Sequence, residues 1–209
     1  MAAAAPLPPF WRWGDPVAPL VDLLARGGIL AIPTESSYGL AVDPRNAQGV
    51  AAVYAVKGRE AGKPLPVVIA GRGQLAGLGI DPDLPILERL AAAWPGPLSV
   101  LLPLARPLPA AAGTGRLAVR VPAHERLRSL LAALGMGLTA TSANPSGGAP
   151  ILAPRAAAEL LAGFDAVVID DGVLPGGPPS TVVEWTAAGL RVVRAGSFPE
   201  ARLRELLAG

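Results

Sequence analysis

The chain has 209 residues, 51% of them hydrophobic, with a formal net charge of +2, one histidine and no cysteine. That length is enough for one large domain or two small ones with a sizeable core, while the small net charge argues against a polybasic nucleic-acid binder. The missing cysteine excludes disulfides, thiolate metal sites and a cysteine nucleophile, and a zinc site of Cys and His with them, but not a Mg²⁺ carried by substrate phosphates.

A Pro-rich segment, MAAAAPLPPFWRWGD, comes first and lacks the basic start and apolar centre of a secretory signal. PVAPLVDLLARGG follows as a helix with a glycine stop. GILAIP then reads as a buried strand, which runs into the polar turn TESSY. Asn46 is placed to cap a helix over AQGVAAVYAVKG, whose apolar face is Val50, Val53 and Tyr54. LPVVIAG is a second buried strand. DLPILERLAAAW is helical up to Pro95, and LSVLLP and RLAVRVP are strands. HERLRSLLAALG is an amphipathic helix closed by Gly135. GLTAT, DAVVID, STVVEW and LRVVRAG are further strands, with a helix from about Arg155 to Leu161 between the first two, and FPEARLRELLA is a final helix.

Even the stretch from residue 84 to 109 carries Glu88, Arg89 and six prolines, and no run reaches the roughly 18 apolar residues of a membrane helix. The expectation is a cytoplasmic protein without membrane contact. Interleaved strands and helices predict an α+β fold: one domain over residues 16–209 behind an arm of residues 1–15. Its core is one twisted sheet of about seven strands, mixed and mostly antiparallel, with helices on its faces.

Polar clusters follow the ends of these elements, where ligands are usually held. Thr34, Glu35, Ser36, Ser37 and Tyr38 form one, and five side chains able to hydrogen-bond are costly to bury without partners. They form either an exposed turn or the lining of a pocket. In KGREAGKPL, Lys57, Arg59 and Lys63 suit a polyphosphate, each charge-assisted bond being worth roughly 1.5–3 kcal/mol; the stretch reads equally as a solvated basic turn. It is not a P-loop. Lys57 and Lys63 are the only lysines, and Asn46 and Asn144 the only asparagines. TATSANPSGG places Thr139, Thr141, Ser142, Asn144 and Ser146 in one turn. Alternation puts Arg120 on the opposite face from Val119 and Val121, facing solvent or a carboxylate in a cleft, and Arg194 poses the same choice. His124 opens a helix and lacks the G-x-S-x-G elbow of a hydrolase, so capping is its simpler role.

In chain order, PTESSYGLAVD, KGREAGKPLPVVI, PGPLSVLLP, LAVRVP, TSANPSG, PSTVVE and RVVRAG resemble the YrdC-like family over roughly residues 16 to 207. The resemblance implies an α+β domain enclosing a positively charged cavity. It also implies synthesis of threonylcarbamoyl-AMP and pyrophosphate from ATP, L-threonine and bicarbonate, with Mg²⁺ arriving on the ATP. A partner transferase would then carry the threonylcarbamoyl group to the adenosine beside the anticodon of tRNA. By similarity, Lys57, Arg59 and Lys63 face the triphosphate, and Ser142 and Asn144 hold ATP and the carboxylating group. Arg120 takes the threonine carboxylate, with Thr34, Ser180 and the backbone of Ala140 orienting the amino acid. Arg194, Arg116 and Pro150 are further nucleotide contacts, and Tyr38 braces its turn. Lys63 and Val68 stand where some members have Asn and His, and Glu60 where proline is frequent. The alternatives are a paralogue that binds RNA or nucleotide without turnover, with contact to tRNA or double-stranded RNA, and a related enzyme that transfers another carbamoyl group.

Overall fold

A computed structural model of the chain describes residues 5–58, 62–186 and 189–208. Among these residues the strands divide between two mixed sheets of five and six strands, rather than forming the single sheet of about seven expected above. The α+β class and the mixture of parallel and antiparallel pairs are as expected.

The first sheet runs β1 (Phe10–Arg12), β9 (Ala166–Asp170), β2 (Ile29–Pro33), β3 (Tyr38–Ala41) and β8 (Thr141–Ser142). β1 and β2 flank β9 in parallel, while β2–β3 and β3–β8 are antiparallel. The segment set apart as an arm thus supplies an edge strand. The second sheet runs β11 (Gly189–Arg194), β10 (Thr181–Thr186), β5 (Leu98–Pro103), β6 (Arg116–Arg120), β4 (Val67–Val68) and β7 (Leu138–Thr139).

Alternation in β2 explains how the first sheet is held. Leu30 and Ile32 pack on one face against Leu20, Leu23 and Leu24 of α1 (Ala18–Ala25) and Leu127, Leu130 and Leu131 of α4 (Glu125–Leu134). Ile29 and Ala31 face the larger core, with Val50 and Val53 of α2 (Ala47–Lys57), Ala157 of α5 (Pro154–Leu160) and Val100 and Val119 of the second sheet. Each fully buried Leu or Ile contributes about 1.5–3 kcal/mol. A strand covered on both faces reads as a continuous apolar run, as GILAIP does.

Helix ends follow local chemistry. Asn46 Oδ1 accepts from the N–H groups of Gln48 and Gly49, and α2 ends at the left-handed Gly58. His124 caps α4 by accepting the Leu127 N–H on Nδ1, and Gly135 closes that helix. The helix predicted as far as Pro95 is shorter, α3 (Pro85–Leu90), with residues 91–93 winding on as turns before Trp94. α6 (Glu200–Ala208) comes last.

The predicted strand GLTAT is broken at Ala140. Leu138 and Thr139 pair with β4 in the second sheet, whereas Thr141 and Ser142 pair with β3 in the first. Thr139, fully buried, joins the sheets: its Oγ1 accepts from Val42 N–H at 3.0 Å and donates to the Leu40 carbonyl at 3.3 Å. The chain therefore changes sheets just before TSANPSGG, and the space between the sheets opens there.

Candidate active site

A cavity of about 260 Å³ lies between the two sheets. The first sheet lines it with Thr34, Ser36, Ser37, Tyr38 and Gly39 of the β2–β3 hairpin and with Thr141 and Ser142 of β8. The second contributes Val67 and Val68 of β4, Ser99 of β5, Arg120 at the end of β6 and Arg194 at the end of β11. Ala140, Pro64, Pro66, Pro179 and Ser180 complete the wall. Two arginines and several hydroxyls face this space and, among the described residues, no carboxylate lines it, so its chemistry favours an anion carrying further hydrogen-bonding groups.

The turn that puzzled the sequence reading largely satisfies itself. Thr34 is buried; its Oγ1 donates to the Ser37 carbonyl at 2.7 Å, and its N–H bonds the same carbonyl. Tyr38 braces the turn from beneath, as expected. Its hydroxyl donates to the Gly172 carbonyl at 3.0 Å and accepts the Asp171 N–H at 3.1 Å. Burial pushes this phenol up to about 12, so it stays a neutral donor.

Arg120, with a side chain 12% exposed, is held by Glu35, whose two oxygens lie 2.7 and 2.8 Å from Nη1. Glu35 also accepts the Ala123 N–H at 2.5 Å. Burial alone would raise the Glu35 carboxyl, but the charge and hydrogen bond of Arg120 outweigh it and hold the group below the usual carboxylate range. Arg194 stands at the mouth, open to water on one side. Partial burial, and then the charge of Arg120, hold its guanidinium below its ordinary value. It donates to the Ser180 carbonyl at 2.8 Å and to Ser180 Oγ at 3.3 Å, and Ser180 Oγ lies 2.9 Å from Ser99 Oγ. Gly196 allows this end of β11 to close on Ser180, since a Cβ there would meet the Pro179 carbonyl oxygen at 2.2 Å.

Beside the cavity, Lys57 is buried, with Nζ 2.7 Å from the Ser142 carbonyl, 3.0 Å from the Asn144 carbonyl and 3.1 Å from Asn144 Oδ1. Ser142 Oγ donates to Asn144 Oδ1 at 2.5 Å, and Asn144 Nδ2 donates to the Gly148 carbonyl. The only described lysine besides Lys63 therefore meets Asn144, although 87 residues separate them.

Of the expected site residues, Thr34, Arg120, Ala140, Ser142, Ser180 and Arg194 line one cavity, and Lys57 and Asn144 adjoin it. Ala140 has its N–H committed to the Pro66 carbonyl. Lys63 is exposed just before the lining residue Pro64. Arg59 lies outside the described residues. Arg116 and Pro150 do not line the cavity: Arg116 is ion-paired with Glu184 at the opposite end of β6, and Pro150 is exposed beyond the TSANPSGG turn. The residue-level reading passed over Ser99, a buried hydroxyl at which only the strand pattern of LSVLLP was visible, and gave no role to Glu35, whose partner is 85 positions away.

The Sua5/YciO/YrdC family model, described as telomere recombination, matches residues 22–196. The chain belongs to this family. A threonylcarbamoyl-AMP synthase of Halorhodospira halophila is 39% identical over 155 residues, covering 73% of this chain and 78% of that one. One of Thiobacillus denitrificans is 37% identical over 181 residues, covering 82% and 91%. Among solved structures, Sua5 of Pyrococcus abyssi complexed with L-threonine superposes with a TM-score of 0.81 at 27% identity, covering 96% of this chain. This chain spans 61% of the length of that archaeal protein. YciO of E. coli, at 20% identity and a TM-score of 0.75, shares the fold over 91% of this chain and 96% of its own.

Proposed function

We propose that this chain is a threonylcarbamoyl-AMP synthase that joins ATP, L-threonine and bicarbonate. The carrying observation is the convergence of Arg120, Arg194, Thr34, Ser180 and Ser142 on one cavity that no carboxylate lines among the described residues, beside the Lys57–Asn144 cluster. The relatives named threonylcarbamoyl-AMP synthase, and the archaeal neighbour complexed with L-threonine, support the choice of substrates.

In this reading the threonine nitrogen attacks the bicarbonate carbon, and loss of water leaves a carbamate. A carbamate oxygen then attacks the α-phosphorus; one P–O bond forms as the bond to pyrophosphate breaks. No step needs a protein nucleophile. The chain's contribution is alignment and fixed charge in a walled site. Arg120 receives the threonine carboxylate, with Thr34, Ser180 and the Ala140 backbone positioning the amino acid. Lys57, Arg59 and Lys63 supply positive charge toward the triphosphate. Ser142 and Asn144 hold the reacting phosphate and carbamate side by side, and Arg194 screens charge at the mouth. Arg116 and Pro150 are left out of this assignment.

Mg²⁺ enters bound to the ATP phosphates. Among the described residues the cavity lining holds hydroxyls and arginines rather than carboxylates, which suits a metal ligated chiefly by its substrate. The product then passes to a threonylcarbamoyl transferase acting on tRNA. The test is pyrophosphate release, with mass spectrometry of the nucleotide made from labelled bicarbonate and threonine. Release should require all three substrates, and the product should carry both labels. Release indifferent to threonine would instead indicate another carbamoyl-transfer reaction; RNA affinity that falls steeply with salt, without any adenylate, would indicate a binding paralogue.

A further inference from the structure

Among the described residues, Glu35 is the one carboxylate that reaches from the first sheet to Arg120 of the second. It stands on the β2–β3 turn between Thr34 and Ser36, both of which line the cavity. Its side chain is 27% exposed, and its oxygens meet Arg120 and the Ala123 N–H, two groups at the end of β6. An arginine and a carboxylate ordinarily pair fork to fork, with two parallel bonds from two nitrogens. Here both Glu35 oxygens sit on the single nitrogen Nη1. Among the described residues, Nε and Nη2 of Arg120 have no hydrogen-bond partner, although this side chain lines the cavity. One edge of the fork is thus held, and the other is left for a ligand.

We infer that Glu35 is a positioning residue for the amino acid: it clasps the two sheets across the cavity and presents the free edge of Arg120 to the substrate carboxylate. This rests on the functional reading above. The geometry has two consequences. Thr34, one residue before Glu35, is fixed relative to Arg120 because the clasp ties its turn to β6. The clasp also cancels one of the two arginine charges, which leaves the wall with a single net positive charge matched to a monocarboxylate. Fixing a turn in its bound position lowers the ordering cost of binding, so the effect falls on threonine affinity. Among the described residues no hydrogen bond of Glu35 runs to Lys57, Ser142 or Asn144, so the expected effect on nucleotide affinity is small.

The test is Glu35→Gln, which keeps the size and an oxygen acceptor but removes the charge. Steady-state pyrophosphate release is measured with threonine and ATP varied separately, alongside calorimetric titration with L-threonine. The expected result is a threonine KM and Kd raised about tenfold, with kcat and the ATP KM changed less than about twofold; a tenfold change corresponds to about 1.4 kcal/mol. If the Gln variant does not fold, Glu35→Asp carries the test, because one methylene less prevents reach to both Arg120 and Ala123. Wild-type turnover combined with an unchanged threonine KM in the variant overturns the inference alone, as does an equal rise in both KM values. A wild-type chain that neither binds threonine nor releases pyrophosphate overturns the functional reading and this inference with it.

Discussion

The two ends of β6 carry the same charges and have different environments. At the Arg116 end, Arg116 and Arg191 of β11 share Glu184 of β10. At the Arg120 end, Arg120 and Arg194 of β11 stand with Glu35. Each end gathers one arginine from β6, one from β11 and a single glutamate, and so keeps a net positive charge. Residues 116, 118 and 120 share one face of the strand, while Leu117 and Val119 are buried on the other. Yet the Arg116 and Arg191 side chains are 50% and 69% exposed, whereas Arg120 is 12% exposed against a cavity wall. Water and salt screen the Arg116 and Arg191 charges; Arg120 acts against a cavity wall where screening is weaker, with Arg194 open to water beside it. Charge content alone does not make the site: what matters is where the second sheet meets the first.

The largest expected effect breaks that symmetry directly. Arg120→Ala leaves Glu35 without its cation and, on the proposed function, removes two charge-assisted bonds to the threonine carboxylate. At roughly 1.5–3 kcal/mol per bond, threonine-dependent kcat/KM should fall by about 10²–10⁴-fold. Arg116→Ala, on the same face of the same strand, should change it less than about threefold. Paired steady-state assays of the two variants decide the matter, and equal losses would show that both ends serve the reaction.

Lys57→Met is expected to come second, and in stability as much as activity. Its ammonium satisfies the Ser142 carbonyl and two oxygens of Asn144 in a buried position. Leaving such acceptors unpaired costs about 1–3 kcal/mol each, partly recovered by relaxation. A net loss of about 2–4 kcal/mol should lower Tm by roughly 5–15 °C, visible by calorimetry. The Arg120 end alone should not show such a drop, since Arg120→Ala opens its cut to the cavity and to water.

Why sequence could not tell the two ends apart turns on range. The Asn46 cap, the Gly58 and Gly135 stops and the apolar stripe of α4 were all legible, because each is decided within four residues. The continuous apolar run of β2 was legible as well. The division into two sheets was not: GLTAT has one period throughout, and only its partners β4 and β3 assign its halves. Three-residue β1 has too few positions to show alternation and is specified by β9. Arg116 and Arg120 looked alike because the carboxylates that separate their fates, Glu184 and Glu35, are remote in sequence. The motif order led to segments that the fold brings to one cavity; Arg116 and Pro150 lie outside its lining, Ser99 lies in it, and Glu35 pairs with the lining residue Arg120.

Acid should sharpen the comparison at the cavity end. Glu35 sits below the usual carboxylate range when folded. A carboxyl with a depressed folded value adds stability that is present above its unfolded pKa and lost as pH falls through the folded value. The difference in Tm between the wild type and Glu35→Gln should therefore be full at pH 6–7 and shrink progressively below about pH 4. A gap that stays constant down to pH 3 would mean that the Arg120–Glu35 charge pair contributes no net stability.

The smallest effect belongs to Glu184→Gln, the counterpart of Glu35→Gln at the far end. The substitution leaves Arg116 and Arg191 facing solvent with one more unit of net positive charge. Four residues of strand separate Arg116 from Arg120, about 13 Å at roughly 3.3 Å per residue, beyond the Debye length of about 8 Å at physiological salt. Threonine and ATP KM should then match wild type within about 1.5-fold at 0.15 M ionic strength. At 0.01 M the Debye length grows to about 30 Å, so the added charge should reach the cavity and lower the ATP KM by about twofold. If the variant instead responds equally at both ionic strengths, its influence travels through the β10–β5–β6 framework rather than through the field, and the two ends of the strand are mechanically coupled.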